Sequence, residues 1–151
     1  MSDHVREVDF DRVRAAVDRL GFQALANEEQ QMLAVKYKGA RISVGAGIAT
    51  HALVVTAYPT TFLALEKKPE VMAWCNRFAS VNRLCSTHLF YEGSIDTPTA
   101  VAAAVEVVIL LPAGASDAQL TAWVATAINQ AATAIGDYER VALASISEKQ
   151  T

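Results

Sequence analysis

The sequence predicts an α+β fold: a single antiparallel five-stranded sheet with helices, in the order α-β-β-β-α-β-β-α. Three observations predict it. Strand-length runs follow one another between residues 32 and 58 with only short connections, which suits an antiparallel meander. Apolar stripes of helical period precede, divide and follow the strands. A second pair of runs, THLFYEG and AVAAAVEVVILL, is separated by turn-forming residues.

Each element has its own local signal. Asp9 is placed to cap a helix in which Phe10, Val13, Val17 and Leu20 recur at three- and four-residue spacing, and Gly21 suits its left-handed end. Beyond Asn27 and Glu28, MLAVKY reads as a strand, Lys38-Gly39 as a tight turn and ARISV as the hairpin partner. GAGIAT is a small-residue connection or bulge, and HALVVTAY a third strand stopped by Pro59. Pro69 suits the first turn of the middle helix, PEVMAWCNRFASVN, where its missing amide hydrogen costs nothing. Val71, Trp74, Cys75, Phe78, Val81 and Asn82 fall on one side of that helix.

The loop with Ser94, Asp96, Thr97 and Pro98 joins the last two strands. Ser116 and Gln119 form a capping box for the final helix, whose face holds Leu120, Trp123, Val124, Ala127, Ile128, Ala131, Ala134 and Ile135. Gly136 is expected to end or bend that helix. Tyr138, Val141, Leu143 and Ile146 then extend it beyond the bend or dock as a tail. One domain is expected over residues 1–151, with 1–8 and roughly 137–151 as terminal extensions.

Composition narrows the function. Thirteen Lys and Arg are spread without a basic run, the formal net charge is -3 and the pI is near 5.6, so no nucleic-acid partner is expected. MSDHVREVDFDR lacks the apolar segment of a secretory signal. The longest apolar run contains Glu106 and stops at Pro112, short of a membrane span. A cytoplasmic protein with no membrane association and reduced Cys75 and Cys85 is the expectation.

No pattern assigns chemistry. His4, His51 and His88 are too scattered for a local metal signature, and the two cysteines are too far apart for a CxxC pair. Gly45 and Gly47 lack a third glycine in dinucleotide-binding register, and Ser43, Ser80 and Ser86 lack a GxSxG frame. Glu28 and Glu29 read as solvated charge. Catalytic, cofactor-binding and metal residues are therefore left unassigned, and no cofactor is expected. Trp74 and Trp123 read as core anchors. Asn82 reads as a structural residue at a helix-to-strand corner, since an unpaired buried amide would cost about 1–3 kcal/mol.

The feature left over is a surface. Strand alternation turns Val101, Ala103, Val105, Val107, Ile109 and Leu111 toward the helices, and Ala102, Ala104, Glu106, Val108 and Leu110 away. Applied to the other strands, the same rule gathers Lys36, Arg41, Val54, Thr56, Tyr58, Phe90 and Glu92 on that second face. So mixed and apolar a face suits a protein contact or shallow groove, unless the chain's own tail covers it. Val54, Tyr58, Phe90, Ala104, Glu106, Val108 and Leu110 are its candidate interface residues.

The order of elements, Asn82 within VNRLCSTHLFYEG, the alternating apolar strand pair and the capped final helix resemble the YbjN-like family of bacterial sensory transduction regulators. The resemblance runs over roughly residues 9 to 136. It implies a fold similar to that of type III secretion chaperones, which dimerise and bind polypeptide segments without catalysis. The chain is accordingly read as a non-enzymatic protein-binding module, chaperone-like or regulatory, acting as a homodimer on a protein or peptide partner. The alternative is a small-molecule sensor with a pocket between sheet and helices and Trp74 or Tyr58 at its mouth.

Overall fold

The computed structural model describes residues 4–47 and 51–148. Asp9 opens α1 (Phe10–Arg19) by accepting a hydrogen bond from Arg12 N at 2.8 Å, and Gly21, at φ +83°, follows its end. Four strands succeed it: β1 (Leu25–Asn27), β2 (Met32–Tyr37), β3 (Ala40–Gly47) and β4 (Ala52–Tyr58). Lys38 and Gly39 both have positive φ, which fits the right-handed twist of the β2–β3 hairpin. Next come β5 (Leu63–Ala64), a 3-10 turn (Leu65–Lys67), α2 (Lys68–Val81), β6 (Cys85–Gly93), β7 (Pro98–Leu110) and α3 (Asp117–Glu148).

Among the described residues the sheet has seven strands rather than the expected five, so the element order also differs. The two additions, β1 and β5, are three and two residues long, too short to display an alternating pattern. Part of GAGIAT belongs to the sheet instead of a connection, because Gly45, Ala46 and Gly47 pair with Val54, Leu53 and Ala52. Its remaining residues, 48–50, lie outside those described. All pairings are antiparallel. β1 to β4 form a meander, and β7 is the hub beyond it. β4 and β5 share one edge of β7, while β6 runs along the other.

Helices pack on one face of this sheet. Ile42, Val44, Leu53, Val55, Val101, Val105 and Val107 meet Val13 and Val17 of α1, Val71 and Trp74 of α2, and Leu120, Val124, Ile128 and Ile135 of α3 in one buried cluster. The expected capping box is present: Gln119 N donates to Ser116 Oγ at 3.1 Å, and Ser116 N to Gln119 Oε1 at 2.9 Å.

Three expectations about helices are corrected. Gly136 does not end α3, which runs unbroken for 32 residues; a mid-helix glycine costs only about 1 kcal/mol, and buried Ile135 and Tyr138 flank it. Residues 137–148 are therefore helix, with Tyr138 and Ala142 in the core. Trp123 is not a core anchor, being 40% exposed at the margin of a stripe centred on Leu120, Val124 and Ala127. Val81, at 84% exposure, also leaves its predicted stripe, and only Val71 and Trp74 of α2 are fully buried.

Candidate functional site

The opposite face of the sheet is built by register. Met32, Gly45, Val54 and Val108 are successive cross-strand partners, and Ala34, Ser43, Thr56, Glu106 and Ser86 form the next row. Lys36, Arg41 and Tyr58 form a third, while Ala104 pairs with His88 and Ala102 with Phe90. Period-two alternation puts all of them on the side away from the core helices. The contrast along β7 shows this: Val107 is fully buried, whereas Val108 is 42% and Leu110 66% exposed.

This face has three parts. At its centre, aromatic side chains supply cover that a helix gives elsewhere. Phe90 lies 5.8 Å from Tyr58 and 6.0 Å from Phe62, ring centre to ring centre, and the small residues Ala102 and Ala104 are fully buried. Ala104 is thus floor, not contact surface. The Tyr58 and Ser43 hydroxyls share a hydrogen bond of 3.1 Å beside buried Thr56. Glu106 is half-buried between Thr56 and Ser86.

At one end lies an apolar corner of Met32, Val54, Val108 and Leu110. Met32 lies over Gly45, where a Cβ would collide with its sulfur, so glycine is what lets the corner close. At the other end, about four residues along the strands, a groove of about 680 Å³ is lined by Leu25, Ala34, Lys36, Arg41, Ser43 and Tyr58, with Gln23 and Ala24 as its lip.

The remaining predicted residues are dispersed. Asn82 Oδ1 accepts from Leu84 N at 3.0 Å and Cys85 N at 2.9 Å, turning the chain from α2 into β6. His51 Nδ1 meets Glu7 Oε1 at 3.0 Å, His88 is exposed on β6, and His4 lies near the N-terminus. Among the described residues, no three His, Cys, Asp or Glu side chains are grouped to hold a metal. Cys75 and Cys85 are free thiols, and burial pushes the Cys85 thiol up from its ordinary pKa.

Among the described residues, the space beside Trp74 between sheet and helices is closely packed rather than open as the sensor reading expects. Leu63, Val71, Trp74 and Tyr138 close around about 20 Å³, room for roughly one water. Tyr58 points to the other side of the sheet. Trp74 instead donates from Nε1 to Asp137 Oδ2 at 2.9 Å, stacks on Phe78 and meets Tyr138 edge-on.

Several polar clusters were invisible to sequence reasoning. Asp117, at the start of α3, accepts from Arg12 Nη2 at 2.9 Å and Arg6 Nη2 at 3.2 Å, locking the N-terminal segment and α1 to α3. Arg6 also forms an antiparallel bridge with Ala115 beside Gly114, whose φ of +84° and contact with the Arg6 carbonyl exclude a side chain. Burial would raise the Glu139 pKa, but hydrogen bonds from Thr61 and Thr60 outweigh it and hold the carboxyl below its ordinary value. Burial pushes Tyr138 up to about 12. These groups sit on the helix side and serve the fold.

Comparison with known proteins agrees with this architecture. Over residues 9–137 the chain matches the model of a family, YbjN, described as "Putative bacterial sensory transduction regulator". The fold is similar to the crystal structure of YbjN from E. coli, described there as a "putative transcription regulator". That match has TM-score 0.67 and 13% identity, covering 87% of this chain and 92% of that one. It is also similar to a chain in the ExsC-ExsE complex, with TM-score 0.55 and 12% identity, covering 87% and 90%. No curated protein matches the sequence. No helix among the described residues is long and apolar enough to cross a membrane.

Proposed function

Since this chain belongs to the YbjN family, we propose that it is a cytoplasmic protein-binding module, regulatory or chaperone-like, which works without catalysis as a homodimer. The observation that carries the reading is the uncovered apolar corner, where Val108 and Leu110 are 42% and 66% exposed on a strand otherwise deep in the sheet. A two-fold axis through that corner lets the same patch serve both subunits. The likeness to a chain in the ExsC-ExsE complex supports the class of role, because there the fold occurs in an assembly of two proteins. The sensor reading would require a cavity that the packed Trp74–Tyr138 core does not offer.

Val108→Glu tests the dimer. It places a charge in the contact twice, beside Glu106, and a desolvated like-charge pair opposes association. Val105, Val107 and Ile109 still face the helices, so the monomer should keep its circular-dichroism spectrum. Sedimentation should give a wild-type dimer and a folded Val108→Glu monomer. A wild-type monomer, or a variant dimer of undiminished affinity, would remove β7 as the association surface.

A further inference from the structure

We infer that the groove at the Lys36–Arg41 end of the open face seats an acidic, otherwise apolar, extended segment of a partner polypeptide. The inference rests on the protein-binding reading above and names the chemistry of what is bound. Lys36 and Arg41 are direct cross-strand partners on one face, an arrangement that disfavours pairing because like charges stand side by side. Arg41 donates to the Pro59 carbonyl at 3.3 Å, and among the described residues no carboxylate lines the groove. Elsewhere Arg6, Arg12, Arg14 and Arg140 each meet an Asp or Glu. A local pair of cations in a chain of net charge -3 is therefore complementary to an incoming anion.

The rest of the groove says what the anion is attached to. Leu25 is 81% exposed, and with Ala34 and the Tyr58 ring it offers apolar surface on either side of the charges. A bare inorganic anion would leave that surface wet. A carboxylate side chain between Lys36 and the fork of Arg41, flanked by apolar side chains, satisfies both parts. β1 pairs with β2 from Met32 to Ala34, and the groove continues along β2 past Val35 and Lys36 beside Gln23 and Ala24. A segment laid in extended form along it would present alternate side chains to the cations and to the apolar lining.

The test titrates the full chain, by fluorescence anisotropy, into a labelled peptide alternating Glu with Val and Thr, and into its Lys-containing counterpart. Wild type should bind the acidic probe, less tightly as salt rises, and not the basic one. Lys36→Glu/Arg41→Glu should weaken acidic-probe binding by about tenfold or more and gain the basic probe, with Lys36→Gln/Arg41→Gln between them. Both positions are exposed, so unchanged circular dichroism should accompany the loss. Sedimentation of Lys36→Gln/Arg41→Gln beside wild type should give the same oligomeric state for both, so a failed dimer and a failed groove are read separately. No binding, equal binding of both probes, undiminished binding by the double variants, or thermal protection by inorganic phosphate without peptide binding would overturn the inference.

Discussion

Trp74→Ala is expected to lower the melting temperature by roughly 6–20 °C, from a loss of about 3–5 kcal/mol in a chain of this size. The indole is 3% exposed and joins α2 to α3 through three contacts: its stack on Phe78, its edge contact with Tyr138 and its hydrogen bond to Asp137. Truncation empties that junction and leaves half-buried Phe78 without its partner. Trp123→Ala, on an exposed margin of α3, should cost about 1 kcal/mol or less. Calorimetry of the two variants side by side separates the roles, and similar losses would contradict them.

The polar half of the Trp74 contact can be read by pH. The hydrogen bond from Trp74, with that from Arg140 second, holds the Asp137 carboxyl below its ordinary pKa of 3.8. A group whose folded pKa is depressed adds stability that is complete above the unfolded value and is lost as pH falls through the folded one. Trp74→Phe keeps most of the volume but removes the donor. Its deficit relative to wild type should be complete at neutral pH and narrow below about pH 4. Denaturant titrations at pH 7 and pH 3 measure this, and a deficit that does not narrow would assign the whole effect to packing.

Asp117→Ala is the second large effect, expected to cost about 3 kcal/mol, the lower end for breaking a buried ion pair. The side chains of Arg12 and Asp117 are only 11% and 12% exposed, so the arginine would keep its charge in a poorly solvated place. Its bonds to the carbonyls of Arg6, Glu7 and Ala115 soften the loss. Adding Arg12→Met should recover much of the stability by removing the orphaned charge, a coupling that a double-mutant cycle by urea denaturation will quantify. Additive losses would show that the two residues do not act as a pair.

How far the sequence was legible depended on the length over which a pattern could average. The two faces of β7 were readable because thirteen residues alternate, and the register with β3, β4 and β6 assembles the open-face residues that alternation gathers. β1 and β5 offered no such length. Trp123 was misplaced because α3 is so rich in alanine that its apolar stripe has no sharp edge, and a residue near the margin reads as core. Gly136 was misread because local helix propensity is weaker than the burial of Ile135 and Tyr138 beside it. Asp117 and its two arginines lie more than a hundred residues apart in sequence, a distance no local pattern spans. The groove combines both cases: its cations were assigned to the right face, but its lip at Gln23 and Ala24 is the segment that leads into the unpredicted β1.

The position of β7 sets a timetable for synthesis. β4, β5 and β6 all take β7 as a partner, yet it is the last strand to be made, and the β7 residues that pair with Leu53, Val54 and Val55 follow them by about 54 residues. At translation rates of about 5–20 residues per second, the edge of β4, with Leu53, Val54 and Val55, stays open for roughly 3–11 s. The ribosome-bound chain therefore passes through an interval in which β4, paired with β3 on one side, presents an apolar unpaired edge on the other that is open to mispairing with other chains. In arrested nascent chains, protease protection of β4 should appear only once Leu110 has cleared the exit tunnel, and protection at shorter lengths would show that the meander is stable without its hub.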